Sequence, residues 1–275
     1  MDNEITLVGG DRRSFWAAEY LRQRGMQLHC CGVPGEEEQP LPKRIRTLIL
    51  PFPSFRGELI RGASAIPLRE VLPCLGEGSR VFGGLLQPWE AAFGERGACC
   101  CELYGSEPLT TANAALTAEG AVALAMEHLP ISLEGANCLV IGFGRIGKLL
   151  ARKLSALGAK LCICARSSAD RAMAAAWGLD SEETGVYGRG LSHYAAIFNT
   201  VPQEILSASQ LAQISRDCLL IELASAPGGF SQETCKALGL QSLSAPGLPG
   251  RYAPKTAGIL YAKSILSFCE GEDAP

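Results

Sequence analysis

Three glycines, Gly142, Gly144 and Gly147, form a G-x-G-x-x-G motif whose chemistry is phosphate binding. The motif follows a continuous apolar run, 138–141, and opens segment 146–157, whose leucines and isoleucine recur at spacings of three and four. In such a strand–turn–helix unit, the first glycine permits a tight bend, the second lets the backbone approach a pyrophosphate, and the third lets helix and strand pack closely. The helix start also offers N–H groups and a positive dipole end. The predicted dinucleotide contacts are Gly142, Gly144, Arg145, Ile146 and Gly147.

The end of the next predicted strand, 160–164, distinguishes between the two nicotinamide dinucleotides. NAD sites place an Asp or Glu about 20 residues after the glycines, where it accepts hydrogen bonds from the ribose. This chain has Arg166, Ser167 and Ser168 there, and the first acid is Asp170. A guanidinium and two hydroxyls suit a 2′-phosphate, so the sequence favours NADP over NAD. The alternative is a solvated arginine at a strand end.

Polar residues also follow two later predicted strands, 195–199 and 218–223. In parallel sheets, ligands bind beyond the carboxyl ends of strands, so these residues are expected to line a cofactor crevice. Taken singly, each segment is more typical of a turn without a ligand. The predicted contacts are Asn199, Thr200, Val201, Pro202, Ala224 and Ser225.

The strands and helices that position these residues can be predicted from the apolar runs and from the turn residues that separate them. A strand at 5–8, a helix at 14–24 and a strand at 27–31 make one parallel unit, and a second such unit begins at Asn137. A Thr- and Ala-rich segment, 109–128, favours a long helix between them. The other predicted strands are 47–50, 79–82, 98–103 and 240–243, and the last helix is 259–269.

The predicted fold class is α/β, with two doubly wound Rossmann-like domains that have parallel sheets. A long bridging helix and a C-terminal return helix join them. The N-terminal domain, 1–107, is expected to hold substrate or partner and to include bridging helix 108–130 and return helix 257–270. Residues 131–256 are predicted to form the NADP-binding Rossmann domain.

Composition excludes several other classes of protein. The 275 residues carry 25 Lys plus Arg against 28 Asp plus Glu, a net charge of -3, and 47% are apolar, which is typical of a globular protein. With a pI near 5.8, neither nucleic-acid nor membrane binding is expected. The first residues lack the pattern of a signal peptide, and a cytoplasmic location is expected.

Twelve cysteines invite a disulfide or metal interpretation. They lie in apolar runs, as at 99–101, without a C-x-x-C pair and without a histidine close to that cluster. Buried thiols in strands are therefore expected and no metal site is predicted, with a metal site as the alternative.

Taken together, these segments resemble the family of dipicolinate synthase A subunits from spore-forming bacteria. The resemblance covers nearly the whole chain, least closely at 35–97. Its most specific parts are LIELASAPGG at 220–229 and SAPGLPGRYAPKTAG at 244–258. The other matching segments are VGGDRR at 8–13, TAEG at 117–120, IGFGRIGKLLA at 141–151, GAKLCICARSSA at 158–169 and FNTVP at 198–202.

The resemblance implies an activity, a place and a partner. The activity is NADP-dependent oxidation of dihydrodipicolinate to dipicolinate (pyridine-2,6-dicarboxylate), in the cytoplasm of the mother cell during sporulation. The implied partner is the flavoprotein-like B subunit of dipicolinate synthase, and a homo-oligomer is a further expectation. A small dianionic substrate requires cations and N–H donors in its site. The predicted substrate contacts are Arg13, which matches the family's GGD-x-R, with Asn113, Thr117 and Lys255, and then Arg251 and Arg12.

The implied reaction also needs a proton acceptor, and the sequence leaves it open between Glu119 and Lys255. The histidines, His29, His128 and His193, are expected to be surface or core residues. Two other functions stay open. One is a dinucleotide-binding partner or sensor subunit without turnover of its own, and the other is a different NADP-dependent dehydrogenase of small acids.

Overall fold

The computed structural model describes residues 4–64, 66–188 and 190–270, and the chain divides into two compact units. The first comprises Met1–Asn113 with Ala253–Pro275, and the second comprises Ala114–Tyr252. The domain boundaries predicted from the sequence stay predictions.

The first unit is built on a parallel sheet. Its strands are β1 (Glu4–Val8), β2 (Gln27–Cys31), β3 (Thr47–Ile49), β4 (Phe55–Arg56), β5 (Leu59–Ile60), β6 (Ile66–Pro67), β7 (Arg80–Gly83) and β8 (Cys99–Glu102). The parallel sheet has the order β2-β1-β3-β7-β8, and β4 to β6 form a small antiparallel sheet. Counted within the parallel sheet, this is the doubly wound order 2-1-3-4-5, whose switch point lies between β1 and β3.

Four α-helices lie between Val8 and His128, and the last of them runs from the first unit into the second. They are α1 (Arg12–Gln23), α2 (Leu68–Val71), α3 (Glu90–Gly94) and the bridging helix α4 (Glu107–His128). Asp11 is the N-cap residue of helix α1, and its side chain accepts a hydrogen bond from the backbone N–H of Arg13. Such a cap satisfies a backbone donor that the helix itself cannot pair.

The second unit has a six-stranded parallel sheet. Its strands are β9 (Asn137–Ile141), β10 (Lys160–Cys164), β11 (Asp180–Glu182), β12 (Ala196–Asn199), β13 (Leu219–Glu222) and β14 (Gln241–Ser244). Its helices are α5 (Arg145–Ala156), α6 (Ser168–Ala176), α7 (Ala208–Leu211), α8 (Gln232–Leu238) and α9 (Leu248–Tyr252). The order β11-β10-β9-β12-β13-β14 is the Rossmann order 3-2-1-4-5-6, with the switch point between β9 and β12.

The last helix, α10 (Pro254–Glu270), returns to the first unit and packs along α1. Gly258 makes this close packing possible, because a Cβ on it would lie 2.3 Å from the backbone oxygen of Arg13. Buried clusters cover both faces of each sheet, so both units are doubly wound. The predicted fold class, with its bridging and return helices, is confirmed.

Three structural findings concern membrane-spanning helices, disulfides and metal sites. Within the described ranges, no helix is both long and apolar enough to cross a membrane. None of the twelve cysteines forms a disulfide in that part of the chain. The same residues contain no group of three or more His, Cys, Asp or Glu side chains arranged to hold a metal ion.

Candidate functional site

The glycine turn after β9 has the geometry that a dinucleotide requires. Gly142 has φ +95°, and a Cβ on it would lie 2.3 Å from the hydroxyl oxygen of Thr200. A Cβ on Gly147 would lie 2.1 Å from the backbone oxygen of Gly142, so only glycine lets α5 pack against this strand end. A Cβ on Gly144 would meet nothing within 4 Å. The turn is therefore closed on its protein side and open at the glycine that a pyrophosphate would approach.

Helix α5 begins at this open position. Gly144 is its N-cap residue, and no side chain within the described residues caps it. Arg145 is exposed and Ile146 is half-buried in the first turn. Because the turn lies at the β9/β12 switch point, it combines the positive end of a helix with the place where such sheets bind ligands.

The loops after β12 and β13 are joined by a buried polar network. The Asn199 side chain is 0% exposed, and its amide donates to Glu222 Oε1 at 2.7 Å and to the Val201 oxygen at 2.8 Å. Glu222 Oε1 and Oε2 also accept from the backbone N–H groups of Ala224 and Gly229, at 2.9 and 2.7 Å. The network ties the loops after β12 and β13 together. Glu222 begins the polar segment at the end of β13, but the sequence prediction assigned it no role, although an acid inside the apolar run LIEL was a signal for one.

The other predicted residues of this edge lie beside that network. Thr200 donates its hydroxyl to the Ile141 oxygen at 2.9 Å, which ties the loop to β9. Val201 and Ala224 are half-buried, whereas Pro202 and Ser225 are exposed. The side chains of Asn199 and Thr200 thus bond to protein groups, and cofactor contacts from this edge stay a prediction.

Arg166, Ser167 and Ser168 form the turn from β10 into α6, and all three are exposed. Ser167 caps α6 by accepting from the backbone N–H of Asp170 at 3.4 Å. The carboxylate of Asp170 lies 3.0 Å from the ammonium of Lys148 on α5. The first acid after the glycine motif is thus paired with a lysine that the sequence prediction did not single out.

A second site in the first unit begins with Asp11 and Arg13. Nε of Arg13 donates to Asp11 Oδ1 at 2.9 Å and Nη2 donates to Oδ2 at 2.8 Å, while the Arg13 side chain is only 18% exposed. Burial raises the pKa of Asp11, but the hydrogen bonds and positive charge of Arg13 outweigh it and hold that pKa below its ordinary value of 3.8. The carboxylate is therefore charged at neutral pH and fixes the direction of the guanidinium.

This pair lines a cavity that we call the first-unit pocket. Its wall also includes Phe52 after β3, Asn113 of α4 and Tyr261 of α10. The pocket lies at the β1/β3 switch point, so Arg13 and Asn113, two predicted substrate contacts, meet where a doubly wound sheet binds ligands. Tyr261 is buried and donates its hydroxyl to the Leu50 oxygen.

The sequence prediction missed the aromatic part of this pocket. The ring of Phe52 stacks on that of Tyr104 with centroids 4.1 Å apart. Burial raises the pKa of Tyr261, which keeps its phenol protonated. No sequence pattern joins these residues, because they come from three distant parts of the chain.

The candidate proton acceptors are engaged in other contacts. Glu119 is exposed, and its Oε1 lies 3.0 Å from Nζ of Lys153. Lys255 is exposed, with Nζ 4.9 Å from the ring centroid of Trp16. Thr117, the remaining predicted substrate contact, is buried. The roles predicted for Thr117, Glu119 and Lys255 stay predictions.

The remaining candidates have ordinary surroundings. Arg12 and Arg251 are exposed, and Arg251 lies over the ring of Tyr252. His29 Nε2 lies 2.6 Å from the Pro40 oxygen, and His128 Nδ1 lies 3.0 Å from the Leu124 oxygen. All three histidines are at most half-buried, which agrees with surface positions.

The fold and the glycine turn together define an α/β protein of two Rossmann-like units, a fold that several dehydrogenases share. A transhydrogenase from Sinorhizobium meliloti superposes with a TM-score of 0.68 at 13% identity, covering 96% of this chain and 84% of that one. The apo form of D-lactate dehydrogenase from Escherichia coli superposes with a TM-score of 0.61 at 13% identity, covering 98% and 99%. At such identity these neighbours show the fold alone. No family model matches the chain.

More of the sequence is shared with the A subunit of dipicolinate synthase. The chain is 28% identical to that protein from Bacillus subtilis (strain 168), over 96% of its own length and 94% of the relative's. The crystal structure of the Bacillus halodurans protein superposes with a TM-score of 0.86 at 25% identity, covering 99% and 98% of the two chains. The crystal structure of the Bacillus subtilis protein superposes with a TM-score of 0.84 at 27% identity, covering 99% of this chain and 97% of that one. The chain is thus similar in sequence and fold to the dipicolinate synthase A subunit, and the resemblance predicted from its motifs is confirmed.

Proposed function

We propose that this chain is the A subunit of a dipicolinate synthase that oxidises dihydrodipicolinate to dipicolinate with NADP. The observation that carries the proposal is the similarity to dipicolinate synthase A subunits in both sequence and fold, over at least 94% of each chain. The dehydrogenase architecture supports the coarser assignment to the oxidoreductases, with a nicotinamide cofactor.

The second unit is proposed to bind the cofactor. Gly142, Gly144 and the start of α5 would hold its pyrophosphate, since the turn is open at Gly144. Arg166, with the hydroxyls of Ser167 and Ser168, would bind the 2′-phosphate, which supports NADP over NAD. When bound, NADP accepts the hydride that leaves the substrate.

The first-unit pocket is proposed to recognise one carboxylate of the substrate. Asp11 engages Nε and Nη2 of Arg13, and Nη1 is the donor that we assign to the substrate. The amide of Asn113 lines the same pocket and offers a further donor. Thr117 and Lys255 are proposed as additional substrate contacts.

Aromatisation of the dihydropyridine ring removes one hydride and one proton. Glu119 and Lys255 are the proposed proton acceptors. Glu119 would act as a carboxylate after leaving Lys153, and Lys255 would act only as the neutral amine, after losing a proton and leaving the Trp16 ring. This requirement favours a second candidate function, a dinucleotide-binding subunit whose partner completes the chemistry.

The relatives are named as A subunits, which implies that the chain acts with a second subunit. We propose a flavoprotein-like B subunit, action in the cytoplasm of a sporulating mother cell, and a homo-oligomer of this chain.

The test is the appearance of NADPH at neutral pH, with dihydrodipicolinate generated in place from its aldehyde and pyruvate precursors. NADP and NAD are compared, each with and without the B subunit. Turnover by the chain alone with a preference for NADP is the expected result. Turnover only with the B subunit selects the second candidate function. No turnover in any mixture, with binding of NADP shown by calorimetry, overturns the proposed activity.

A further inference from the structure

The turn from β10 into α6 is held by the side chain of Arg171, a residue that the sequence prediction did not single out. Nη1 of Arg171 donates to the backbone oxygens of Ala165 and Arg166, both at 2.8 Å. The side chain of Arg171 is 25% exposed. One guanidinium nitrogen thus binds the last two carbonyls of the segment that carries Arg166.

These two carbonyls lie at the carboxyl end of a strand, where the proposed 2′-phosphate binds. An uncapped carbonyl oxygen carries a partial negative charge, which disfavours a phosphate nearby. The guanidinium of Arg171 engages both oxygens and adds a fixed positive charge. It also fixes the backbone of Arg166, from which the phosphate-binding side chain extends.

The charged side chains around this turn are largely paired with one another. Asp170 lies 3.0 Å from Lys148, and Glu183 lies 3.9 Å from Nη2 of Arg171. Glu182, whose backbone oxygen accepts the Ala165 N–H at 3.1 Å, adds a further acid beside the turn, so these charges together do not select a phosphate. Because these side chains are partly solvated and therefore screened, selectivity depends on the direction of Arg166 more than on their combined field.

We infer that Arg171 is a positioning residue for 2′-phosphate selectivity, acting through the backbone of Arg166. The inference rests on the proposed binding of NADP and adds the residue that holds its selective contact in place. Lysine at position 171 keeps the charge but lacks the planar guanidinium that reaches both carbonyls.

The experiment measures binding without catalysis. Adenosine 2′,5′-bisphosphate and 5′-AMP are titrated by calorimetry into the wild type, Arg171→Lys, Arg171→Gln and Arg166→Ala. Arg216→Lys is the matched control, because Arg216 is exposed and precedes β13, at the amino end of that strand, whereas Arg166 follows the carboxyl end of β10 in the same parallel sheet. We expect both Arg171 variants to bind the bisphosphate about tenfold more weakly, with 5′-AMP affinity within about twofold of the wild type.

The outcomes separate the inference from the proposed function. If Arg166→Ala loses the bisphosphate and both Arg171 variants retain it, the inference is overturned and NADP binding stands. Equal losses of both probes in the Arg171 variants make Arg171 merely structural and also overturn it. If the wild type binds neither probe, the proposed function fails. Thermal melting of each variant shows which ones are folded, and Arg171→Gln serves if the lysine variant does not fold.

Discussion

Asp11 and Arg13 are joined by a two-point ion pair at the start of α1, with Nε–Oδ1 and Nη2–Oδ2 distances of 2.9 and 2.8 Å. The same carboxylate accepts the backbone N–H of Arg13 at 2.9 Å and so caps the helix. One side chain therefore both starts the helix and directs the cation of the first-unit pocket.

Replacing Asp11 by Asn separates these two roles. Asparagine caps a helix about as well as aspartate, so the fold is retained, but the two-point ion pair with Arg13 is lost. We expect the KM for the substrate to rise about tenfold with kcat within about twofold, because substrate binding is weakened before the chemical step. Steady-state kinetics measure this, with the exposed Asp217→Asn as the control. An unchanged KM would remove Arg13 from the substrate site.

The same pair predicts a pH dependence of stability. The folded pKa of Asp11 is lowered from 3.8, so its contribution is complete above that pH and is lost as the pH falls through the folded pKa. Urea unfolding of the wild type and Asp11→Asn should therefore differ by a constant free energy, about 1 kcal/mol or less, from pH 7 down to 3.8. Below 3.8 the difference should shrink. A difference that grows in acid would contradict the lowered pKa.

Replacing Gly144 or Gly147 by alanine should have different effects on stability, although both glycines belong to one motif. The Cβ in Gly144→Ala meets nothing within 4 Å, so the variant should fold and lose at least about tenfold in NADP affinity, since the methyl group fills the open position. In Gly147→Ala the Cβ lies 2.1 Å from a backbone oxygen, so the melting temperature should also fall. Calorimetry and thermal melting measure both effects. Gly105→Ala, also without a contact within 4 Å, is the control. Unchanged NADP affinity in Gly144→Ala would argue against the proposed pyrophosphate site.

Arg166→Ala tests the choice of dinucleotide. A hydrogen bond to a charged group contributes about 1.5–3 kcal/mol, so NADP affinity should fall about tenfold or more while NAD affinity stays nearly the same. Arg216→Ala, at the amino end of β13 and so at the end of the parallel sheet away from Arg166, controls for the loss of one positive charge. Equal binding of NADP by Arg166→Ala and the wild type would exclude this arginine from the 2′-phosphate site.

Tyr261→Phe removes a buried hydroxyl from the wall of the first-unit pocket. The Leu50 oxygen loses its donor, which should lower the free energy of unfolding by about 1–3 kcal/mol in urea at neutral pH. Burial raises the pKa of Tyr261 above its ordinary value of 10, so wild-type stability should also decline above that pH. The phenylalanine variant should decline less. Parallel alkaline curves for the two proteins would contradict the assignment.

Local features of the sequence were sufficient for the framework. Strand β10 lies at 160–164 as predicted, because a continuous apolar run between turn residues is typical of a strand buried on both faces. The glycine turn was predictable for a similar reason, since the positive φ of Gly142 and the close approach of Gly147 to the Gly142 oxygen are set within six residues. The strands β4, β5 and β6 were missed because each has only two residues and so no periodicity.

The site depended on contacts that no local pattern encodes. Tyr261 lines the same pocket as Arg13, about 250 positions away in the chain, because α10 returns to pack on α1. Glu222 accepts from the Asn199 amide, 23 positions away in the chain, because β12 and β13 pair in the sheet. The sequence by itself thus determined the two parallel sheets and the glycine turn between β9 and α5, since apolar runs and the conformation of a tight turn are set within a few residues. Only the tertiary structure decided which charges pair and which rings line the pocket, because those contacts require segments far apart in the chain to meet.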